Sequence, residues 1–330
     1  MHIVFSEDGR DFHRRGWHEL VEADPGGTFF HTPAYLKLYW EEFGETPDHL
    51  LLAFAEEDDG TQVGAVAFER IGETLRFLGG TEVTDYMGPV GLPDRQDAMA
   101  KELWTALLTR GDWRDADLRG LPEDRAWLGL LRDAAAAADL TVEETDDQNG
   151  VAPFLPLPAA WDEYLSALSS KHRHEIKRKA RKLTEEAGAF RIVTADAGSL
   201  TSLLDRFVEL HRMSEGPKGV FLVPGMEIFF RRLGDAFCAE GVFRLTFIEV
   251  GGGLAAGTIG FVWGGTWYLY NSAFDRSWGN LAPGMVLVAE DIRLAIDERC
   301  AGFDLLKGDY AYKYRFGSHP RAVKRLVVTR

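Results

Sequence analysis

Apolar and polar positions follow two different periods along the chain. Alternation with a period of two residues predicts strands, and apolar positions that recur every three or four residues predict helices. The predicted strands are 50–56, 62–70, 74–78, 117–120, 243–250, 256–263, 266–273, 303–307 and 322–329, with a further strand beginning at Phe190. The predicted helices are 17–22, 34–43, 97–110, 126–138, 161–168, 171–187, 199–214, 226–239 and 284–299. This mixture of elements predicts an α/β (α+β) fold.

One part of this pattern occurs twice. The shared spacing is that of Gly64, Phe68 and Gly72 in the first half and of Gly257, Phe261 and Gly265 in the second. Each predicted hairpin is followed by a loop, one helix and a strand with Asp-Leu and a final glycine, at 117–120 and 304–308. A repeated order of elements indicates duplication, so we predict two similar domains, 1–160 and 161–330. The proline-rich residues 153–158 are predicted to be an extended linker.

The longest uncharged run, from Val250 to Phe274, is long enough to span a bilayer. It contains seven glycines and alternates in polarity, so it is predicted to be a hairpin and no membrane partner is expected. The N-terminal residues become acidic at once, without a basic region or an apolar run, so no secretion signal is predicted. Cys238 and Cys300 are predicted to be reduced structural thiols. The expected location is therefore cytoplasmic.

The chain of 330 residues is long enough for two cores. Its formal net charge of −15 argues against non-specific coating of nucleic acid. The helix 171–187 is the exception, because around its apolar stripe the surface is basic: Lys171, Arg173, Lys177, Arg178, Lys179, Arg181 and Lys182. Such a surface fits either a solvated face that pairs with the acidic body or an anion-binding surface for phosphates.

The residues from Gly302 to Gly317 hold two carboxylates, two lysines, an arginine and three tyrosines. A strand that ends in charge and a glycine break is typical of the place where open α/β sheets bind ligands. The candidate catalytic residues are Asp304, Lys307, Asp309, Tyr310, Tyr312 and Lys313. In the first half, Gly120 corresponds to Gly308 and is followed by Leu121 and Pro122, so the polar cluster has no counterpart there. The catalytic site is therefore predicted to lie in the second half of the chain, or against it.

Other chemistries lack their sequence signatures. The chain has no Gly-x-Ser-x-Gly, His-Glu-x-x-His, Cys-x-x-Cys or Walker motif. His172 and His174 stand isolated on the basic helix, so no metal site is predicted.

Several short stretches form an ordered series over nearly the full length: 30–33, Asp85-Tyr86, 170–178, 270–275, 282–285 and 304–313. This series resembles the GNAT acyltransferases. Within that superfamily it is similar to the two-domain Fem-like branch, which includes acetyltransferases associated with cellulose biosynthesis. The resemblance implies tandem duplicated GNAT domains, each with a mixed, mostly antiparallel central sheet flanked by helices. The first domain would be degenerate, and the second would carry the active-site cluster.

The resemblance also implies transfer of an acyl group, in particular acetyl, from acyl-CoA to an amine by direct attack in a cleft between the domains. Strands 266–273 and 303–307 are expected to splay apart, so that a backbone N–H of the first can hold the oxyanion. The start of helix 284–299 is expected to bind the pyrophosphate. The residues expected to bind acyl-CoA are Tyr270, Asn271, Ser272, Ala282, Gly284, Met285 and Val286.

Roles within the cluster follow from the same resemblance. Tyr310 or Tyr312 would protonate the leaving thiolate, and Asp304 or Asp309 would take the amine proton. Anionic parts of the substrates would be held by Lys307, Lys313 and Arg315. Further substrate contacts are expected from Asp85, Tyr86, Arg173, Arg178, Asp275 and Arg315. The acceptor is expected to be a small-molecule or peptide amine.

The loop from Asn280 to Met285 departs from the usual GNAT pyrophosphate loop, in which Gln or Arg precedes Gly-x-Gly/Ala. Pro283 has no N–H, so the loop offers one donor fewer. An aminoacyl-tRNA is therefore an alternative donor, as in Fem-type amide ligases, with the basic helix guiding the acceptor stem. The long helical hairpin of those ligases is missing after Ser170. A non-catalytic GNAT-like scaffold is the second alternative, and the acceptor, acyl chain and oligomeric state are left open.

Overall fold

The computed structural model describes residues 1–14, 16–44, 49–80, 82–213 and 223–330. The chain forms two compact units, the first of residues 1–151 and 321–330 and the second of residues 152–320. The sequence predicts a single boundary at 160/161. The units instead divide at 151/152, and the chain returns to the first unit for its last ten residues.

The strands are β1 His2–Ser6, β2 Leu50–Glu56, β3 Gln62–Ile71, β4 Thr74–Phe77, β5 Val90–Gly91, β6 Asp115–Pro122, β7 Thr141–Val151, β8 Phe154–Pro156, β9 Arg191–Thr194, β10 Phe243–Val250, β11 Gly253–Trp263, β12 Thr266–Phe274, β13 Gly302–Asp304 and β14 Ala322–Thr329. The helices are α1 Trp17–Ala23, α2 Pro33–Phe43, α3 Gln96–Arg110, α4 Ala126–Ala137, α5 Trp161–Ala167, α6 Ser170–Ala187, α7 Leu200–Arg212, α8 Pro224–Phe237 and α9 Pro283–Asp297. Short 3₁₀ helices are Gly9–His13, Phe29–His31, Arg276–Leu281 and Lys313–Phe316. The helix predicted at 199–214 is α7, and its last predicted residue, Ser214, lies outside the described residues.

The sheet of the first unit has the strand order β1-β2-β3-β4-β6-β14-β7, with β5 paired to β3. All its pairs are antiparallel except β4 with β6, which are parallel. Buried side chains of α3 and α4, including Trp104 and Leu131, pack on it in one core. β14 lies inside the sheet, between β6 and β7.

Strand β7 is missing from the sequence prediction. Its sequence, Thr-Val-Glu-Glu-Thr-Asp-Asp-Gln-Asn-Gly-Val, is mostly exposed and carries no regular apolar alternation. β7 is an edge strand beside β14, and charged side chains at an edge discourage pairing with other chains. The polar sequence is thus compatible with its place at the edge.

The sheet of the second unit has the order β8-β13-β12-β11-β10-β9. Only β12 and β13 are parallel. Trp267 and Leu269 of β12 pack in one cluster with Val288 and Ile292 of α9. Tyr270 contacts α8, where the Phe230 ring centroid lies 5.2 Å away. Because neighbouring side chains of a strand point to opposite faces, α8 and α9 cover opposite faces of this sheet.

The predicted linker 153–158 is a strand instead. Its central residues form β8, an edge strand antiparallel to β13, with Leu155 opposite Phe303. Prolines are compatible with an edge strand, because one side of the strand needs no ladder hydrogen bonds. Because the spacing of these prolines is also typical of an extended linker, the sequence alone does not identify the strand.

The uncharged run from Val250 to Phe274 forms the hairpin β11–β12, as predicted. Across the described ranges, no helix has the length and apolar character needed to cross a membrane.

A carboxyl group lies inside the core of the second unit. Asp291 of α9 is fully buried, and its two oxygens accept from the hydroxyls of Thr246 and Thr258, each at 2.7 Å. The two hydroxyl oxygens are themselves 2.6 Å apart. Burial raises the pKa of Asp291 to about 7, against the effect of the threonine hydrogen bonds. The three oxygen–oxygen contacts need three hydrogens, and the two hydroxyls supply two. A neutral Asp291, which then donates its own proton to one threonine oxygen and accepts from the other hydroxyl, completes the ring of hydrogen bonds.

Candidate active site

The parallel pair β12–β13 opens at its carboxyl end. Three residue pairs form the ladder, and the last is Tyr268 opposite Asp304. The next residue, Leu305, donates its N–H to the Pro153 carbonyl at 2.9 Å and so continues on the β8 side. β12 runs on to Phe274 beside β11. The predicted splaying of these two strands is present, and the fork between them begins at Asp304.

A β-bulge lies on the β12 side of this fork. Ile259 of β11 is opposite Asn271 and Gly260 is opposite Leu269, so Tyr270 is the extra residue. A Cβ atom on Gly260 would lie 2.8 Å from the Tyr268 carbonyl oxygen, so the close approach of the strands at this point requires glycine. Bulges bend a strand and redirect its side chains and amides. This bulge interrupts the ladder where the fork opens.

Asn271 is fixed beside the bulge by two contacts. Its Oδ1 accepts from the N–H of Ser272 at 2.8 Å, and its Nδ2 lies 3.4 Å from Nε2 of His211 on α7. His211 is fully buried. The sequence analysis missed this histidine, whose only signal is its position on the apolar stripe of α7, four residues after Phe207.

The first turn of α9 differs from the expected phosphate-binding nest. Ala282 has a φ of +51°, and its carbonyl accepts from the N–H groups of Met285 at 3.0 Å and Val286 at 3.3 Å. Pro283 has no N–H. The N–H groups at the predicted phosphate-binding start of this helix are those of Gly284, Met285 and Val286. Of these three, the N–H of Gly284 is the one not directed at the Ala282 carbonyl.

Asp275, predicted to contact substrate, lies between β12 and the turn before α9. Its Oδ1 accepts from the N–H of Ser277 at 2.8 Å, and its Oδ2 lies 3.9 Å from a guanidinium nitrogen of Arg206. The hydrogen bonds from Ser277 lower the pKa of Asp275. This carboxylate therefore caps a turn.

Beyond β13, a buried lysine holds the chain in a tight turn. Asp304 is buried and its Oδ1 accepts from the N–H of Leu306 at 2.8 Å, while Leu306 has a φ of +58°. Lys313 is 3% exposed, and its ammonium donates to the carbonyls of Leu306 and Lys307, each at 2.8 Å. Lys307 itself is half-buried. Lys313 is predicted to bind an anionic part of a substrate, and such an anion would compete with these two carbonyls for its ammonium group.

The tyrosines and Asp309 follow this turn. The Tyr310 ring is exposed and stacks on Tyr312 with centroids 6.3 Å apart. Burial raises the pKa of Tyr312 to about 12, so its hydroxyl is protonated at neutral pH. Asp309 is exposed and accepts from the Tyr314 hydroxyl at 2.5 Å. Burial and the Asp309 carboxylate raise the pKa of Tyr314 to about 12.

Positive charge from α6 and the C-terminal segment meets around one carboxylate. Glu175 lies 3.4 Å from Arg315 and 4.0 Å from Lys179. Burial lowers the pKa of Lys179, and nearby cations lower it further although Glu175 opposes them. We define the basic cluster as Arg178, Lys179, Lys182 and Arg315. Its four cations outnumber the two carboxylates that pair with them, Glu175 and Glu186, so the cluster is electropositive.

Arg173 is placed differently from the basic cluster. Its guanidinium donates to the carbonyls of Leu165 and Ser166, both at 3.4 Å, at the end of α5. These two contacts hold the start of α6 against the preceding helix. Among the described residues, no group of three His, Cys, Asp or Glu side chains has the arrangement of a metal site.

The two predicted site residues of the first unit lie in different surroundings. Asp85 is half-buried. Tyr86 is 2% exposed, with its hydroxyl bonded to Arg321 and the guanidinium 5.0 Å from its ring centroid. Tyr86 therefore offers almost no surface to a substrate in this conformation.

The first unit has its own fork, in the corresponding place. β4 and β6 are parallel over three residue pairs, the last being Arg76 opposite Asp117. A pocket of about 460 Å³ lies there. Asp117 accepts from Arg325 at 2.6 Å and Arg119 at 3.1 Å, and although burial opposes them these bonds lower its pKa. Asp117 thus corresponds to Asp304 but is neutralised by two arginines.

Residues 170–314 match the acetyltransferase (GNAT) domain family. Over these residues the match confirms the sequence resemblance to the GNAT acyltransferases, and it supports an N-acyltransferase. No curated protein sequence matches the chain.

Solved structures extend the likeness of fold to the whole chain. FemX is 12% identical, with a TM-score of 0.67 over 99% of this chain and 97% of its own. A conserved protein of unknown function from Bacteroides thetaiotaomicron VPI-5482 is 15% identical, with a TM-score of 0.62 over 99% and 100%. The C-terminal domain of a putative lysylphosphatidylglycerol synthetase from Agrobacterium fabrum is 10% identical, with a TM-score of 0.58 over 98% and 92%. The predicted fold class, mixed sheets flanked by helices, is confirmed.

Proposed function

We propose that the protein transfers an acyl group, in particular acetyl, from acyl-CoA to the amine of a small molecule or peptide in the cytoplasm. The observation that carries this proposal is the fork between β12 and β13, with the bulge at Tyr270 on one side and Asp304 at its base. A thioester in this fork has its carbonyl oxygen beside the bulged backbone, where amide dipoles stabilise an oxyanion.

The reaction is a direct attack on the bound thioester. The amine nitrogen forms a bond to the carbonyl carbon, the tetrahedral intermediate collapses, and the carbon–sulfur bond breaks. The amine proton passes to a carboxylate, and the leaving thiolate takes a proton from a tyrosine. Of the two candidate carboxylates, Asp309 is exposed, whereas Asp304 is buried and caps the turn at Leu306. We therefore assign the base to Asp309, acting directly or through water.

The proton donor is assigned by the same reasoning. Tyr310 is 58% exposed, whereas Tyr312, which stacks on it, is half-buried and has a pKa raised by burial to about 12. A protonated phenol at the solvent side reaches a leaving thiolate more readily than a buried one. Tyr310 is therefore the preferred donor, and Tyr312 supports its ring.

The basic cluster supports a second candidate, the transfer of an aminoacyl group from tRNA. The four cations of this cluster outnumber Glu175 and Glu186 and form an electropositive surface, which fits the phosphates of tRNA as well as those of CoA. The first turn of α9, with two amides bonded to Ala282, gives CoA fewer phosphate-binding groups. The two donors differ in salt dependence, because tRNA contacts more phosphates.

The test is calorimetric titration of the protein with acetyl-CoA, and separately with charged and uncharged tRNA, at two salt concentrations. The atoms nearest to a Cβ atom on Gly284 belong to the Phe274 side chain, the closest at 3.7 Å, so Gly284→Asp fits sterically and places a carboxylate at the helix start. Gly284→Ala is the matched control. We expect acetyl-CoA binding that the aspartate weakens and the alanine preserves.

Other outcomes redirect the assignment. Salt-dependent binding of charged tRNA without acetyl-CoA binding overturns the acyl-CoA proposal in favour of amide ligation. In that case the charge reversal Arg315→Glu weakens tRNA binding. Binding of neither donor, together with no transfer to a panel of amines, favours a non-catalytic scaffold.

A further inference from the structure

A buried histidine contacts the bulge from the adjacent helix. His211 lies on the last turn of α7, fully buried, with its ring 5.9 Å from that of Phe207. Its Nε2 is 3.4 Å from Nδ2 of Asn271. A carboxamide nitrogen is only a donor, so Nε2 accepts and the neutral ring carries its proton on Nδ1.

The contact fixes backbone as well as side chain. Asn271 uses its other amide atom, Oδ1, to accept the N–H of Ser272 at 2.8 Å. The carboxamide thus joins α7 to the strand directly after the extra residue Tyr270. A change in its orientation would rotate the peptide units on the carboxyl side of the bulge.

The two units differ at this point. In the first unit, β3 and β4 pair without a register shift, with Phe68 opposite Phe77, and Leu78 donates to the Ala67 carbonyl at 2.9 Å. In the second unit, the corresponding pair β11–β12 contains the bulge, and the His211–Asn271 contact lies beside it. The contact is therefore found where the hairpin is bulged.

A purely structural role explains this residue poorly. The neighbouring buried positions of α7, Leu204 and Phe207, are apolar. Burying an imidazole costs free energy unless it is hydrogen-bonded, so an apolar residue would pack at lower cost. A polar group is useful there if it has to orient Asn271.

We propose that His211 is a positioning residue that acts through Asn271 to fix the bulge, and thereby places the backbone amide that receives the oxyanion. This inference rests on the proposed function for its kinetic consequence. The placement of the backbone can be measured without any substrate.

The test compares three variants of the full chain. His211→Phe keeps an aromatic ring against Phe207 and removes the acceptor, whereas His211→Gln restores an acceptor oxygen. Leu204→Ala, on the same buried stripe, controls for lost packing. Each protein is labelled with ¹⁵N-tyrosine, which gives nine backbone amide signals, and Tyr270→Phe assigns the one at the bulge.

We expect His211→Phe to shift the Tyr270 amide signal and lower kcat about 10- to 100-fold, with KM for the donor changed less than about threefold. His211→Gln should restore most of the rate and return the signal toward its original position. Leu204→Ala should lower stability and leave the Tyr270 signal in place.

Two results separate this inference from the proposed function. An unchanged Tyr270 signal in His211→Phe overturns the positioning role whatever the enzyme activity. If the unaltered protein transfers no acyl group from either donor, the proposed function fails, and the amide shift still decides whether His211 fixes the bulge.

Discussion

The ammonium nitrogen of Lys313 lies 2.8 Å from the carbonyl oxygen of Leu306, whose φ of +58° is left-handed. A non-glycine residue in this conformation costs about 1 to 2 kcal/mol, so the turn needs support from its surroundings. The buried ammonium supplies it by binding two consecutive carbonyls. A lysine that the sequence predicts to hold an anionic part of a substrate therefore shapes the loop that carries Asp309 and Tyr310.

The first prediction concerns this lysine. Lys313→Met keeps the length of the side chain and removes its donors, which leaves the Leu306 and Lys307 carbonyls without the ammonium. We expect the free energy of unfolding to fall by about 2 to 4 kcal/mol, measured by urea denaturation. Lys171→Met, at an exposed position of α6, is the control and should change it by less than about 0.5 kcal/mol. Unchanged stability with weaker donor binding would instead make Lys313 a substrate ligand.

The second prediction concerns the glycine opposite the bulge. Gly260→Ala places a Cβ atom 2.8 Å from the Tyr268 carbonyl and 2.9 Å from the Trp267 indole nitrogen. The strands must move apart, so we expect a loss of about 1 to 3 kcal/mol in stability and a lower kcat. Gly253→Ala is the matched control, because its Cβ atom meets nothing within 4 Å and its φ is not positive. Full activity in Gly260→Ala would mean that the bulge geometry is not needed for transfer.

The third prediction distinguishes the two carboxylates. Asp309→Asn removes the proposed base and should lower kcat about 10²- to 10⁴-fold. Asp304→Asn keeps an oxygen that can accept the Leu306 N–H, so its kcat should stay within about tenfold of the original. Both rates are measured with saturating donor. The reverse ranking of these two variants would assign the base to Asp304.

Tyr314→Phe separates the carboxylate of Asp309 from its hydrogen-bond partner. The variant removes the hydroxyl that donates to Asp309 and retains the carboxylate. We expect a kcat within about tenfold of the original protein. A loss as large as that of Asp309→Asn would mean that the pair, rather than the carboxylate alone, is required.

The fourth prediction concerns pH and stability. The pKa of Asp291 is raised to about 7 in the folded protein, above its value of 3.8 in an unfolded chain. Between these values the folded state binds the extra proton, so this group's contribution to stability falls as pH rises from about 4 to 7. Above pH 7 the carboxylate is charged in both states. The burial of its charge then lowers the free energy of unfolding by its full amount, about 4 kcal/mol.

Asp291→Asn tests this linkage, because the carboxamide is neutral at every pH. The difference in unfolding free energy between variant and original protein, from urea denaturation at pH 5 and pH 8, isolates the contribution of Asp291. We expect the variant to gain stability relative to the original protein as the pH rises. A difference that does not depend on pH would show that Asp291 is ionised in the folded core throughout this range.

The elements with regular patterns could be predicted from the sequence. The strands at 50–56 and 322–329 have the predicted bounds. The repeat predicted the shared place of Asp117 and Asp304, which the two short parallel ladders confirm. The bounds of these strands depend on neighbouring residues, and the shared place of the two aspartates follows from a spacing that occurs twice in the sequence.

The features that sequence could not predict depend on an unusual backbone conformation, on contacts between elements, or on the place of a strand at the edge of its sheet. The role of Lys313 depends on carbonyls six and seven residues earlier in a turn with an unusual φ. His211 is recognisable only once α7 lies against β12. The polar strand β7 and the proline-flanked β8 are edge strands, where the apolar alternation that identifies a strand is not required.

The position of β14 has a consequence for the order in which the chain matures. The first sheet requires β14 between β6 and β7, and every residue of the second unit is synthesised before β14. The sheet of the first unit therefore cannot close until β14 has been synthesised, whereas every strand of the second sheet precedes β14 in the chain. A ribosome that stops anywhere before Ala322 leaves the gap between β6 and β7 open, with unpaired strand edges available to chaperones and proteases. Synthesis of β14 is thus required to close the sheet of the first unit.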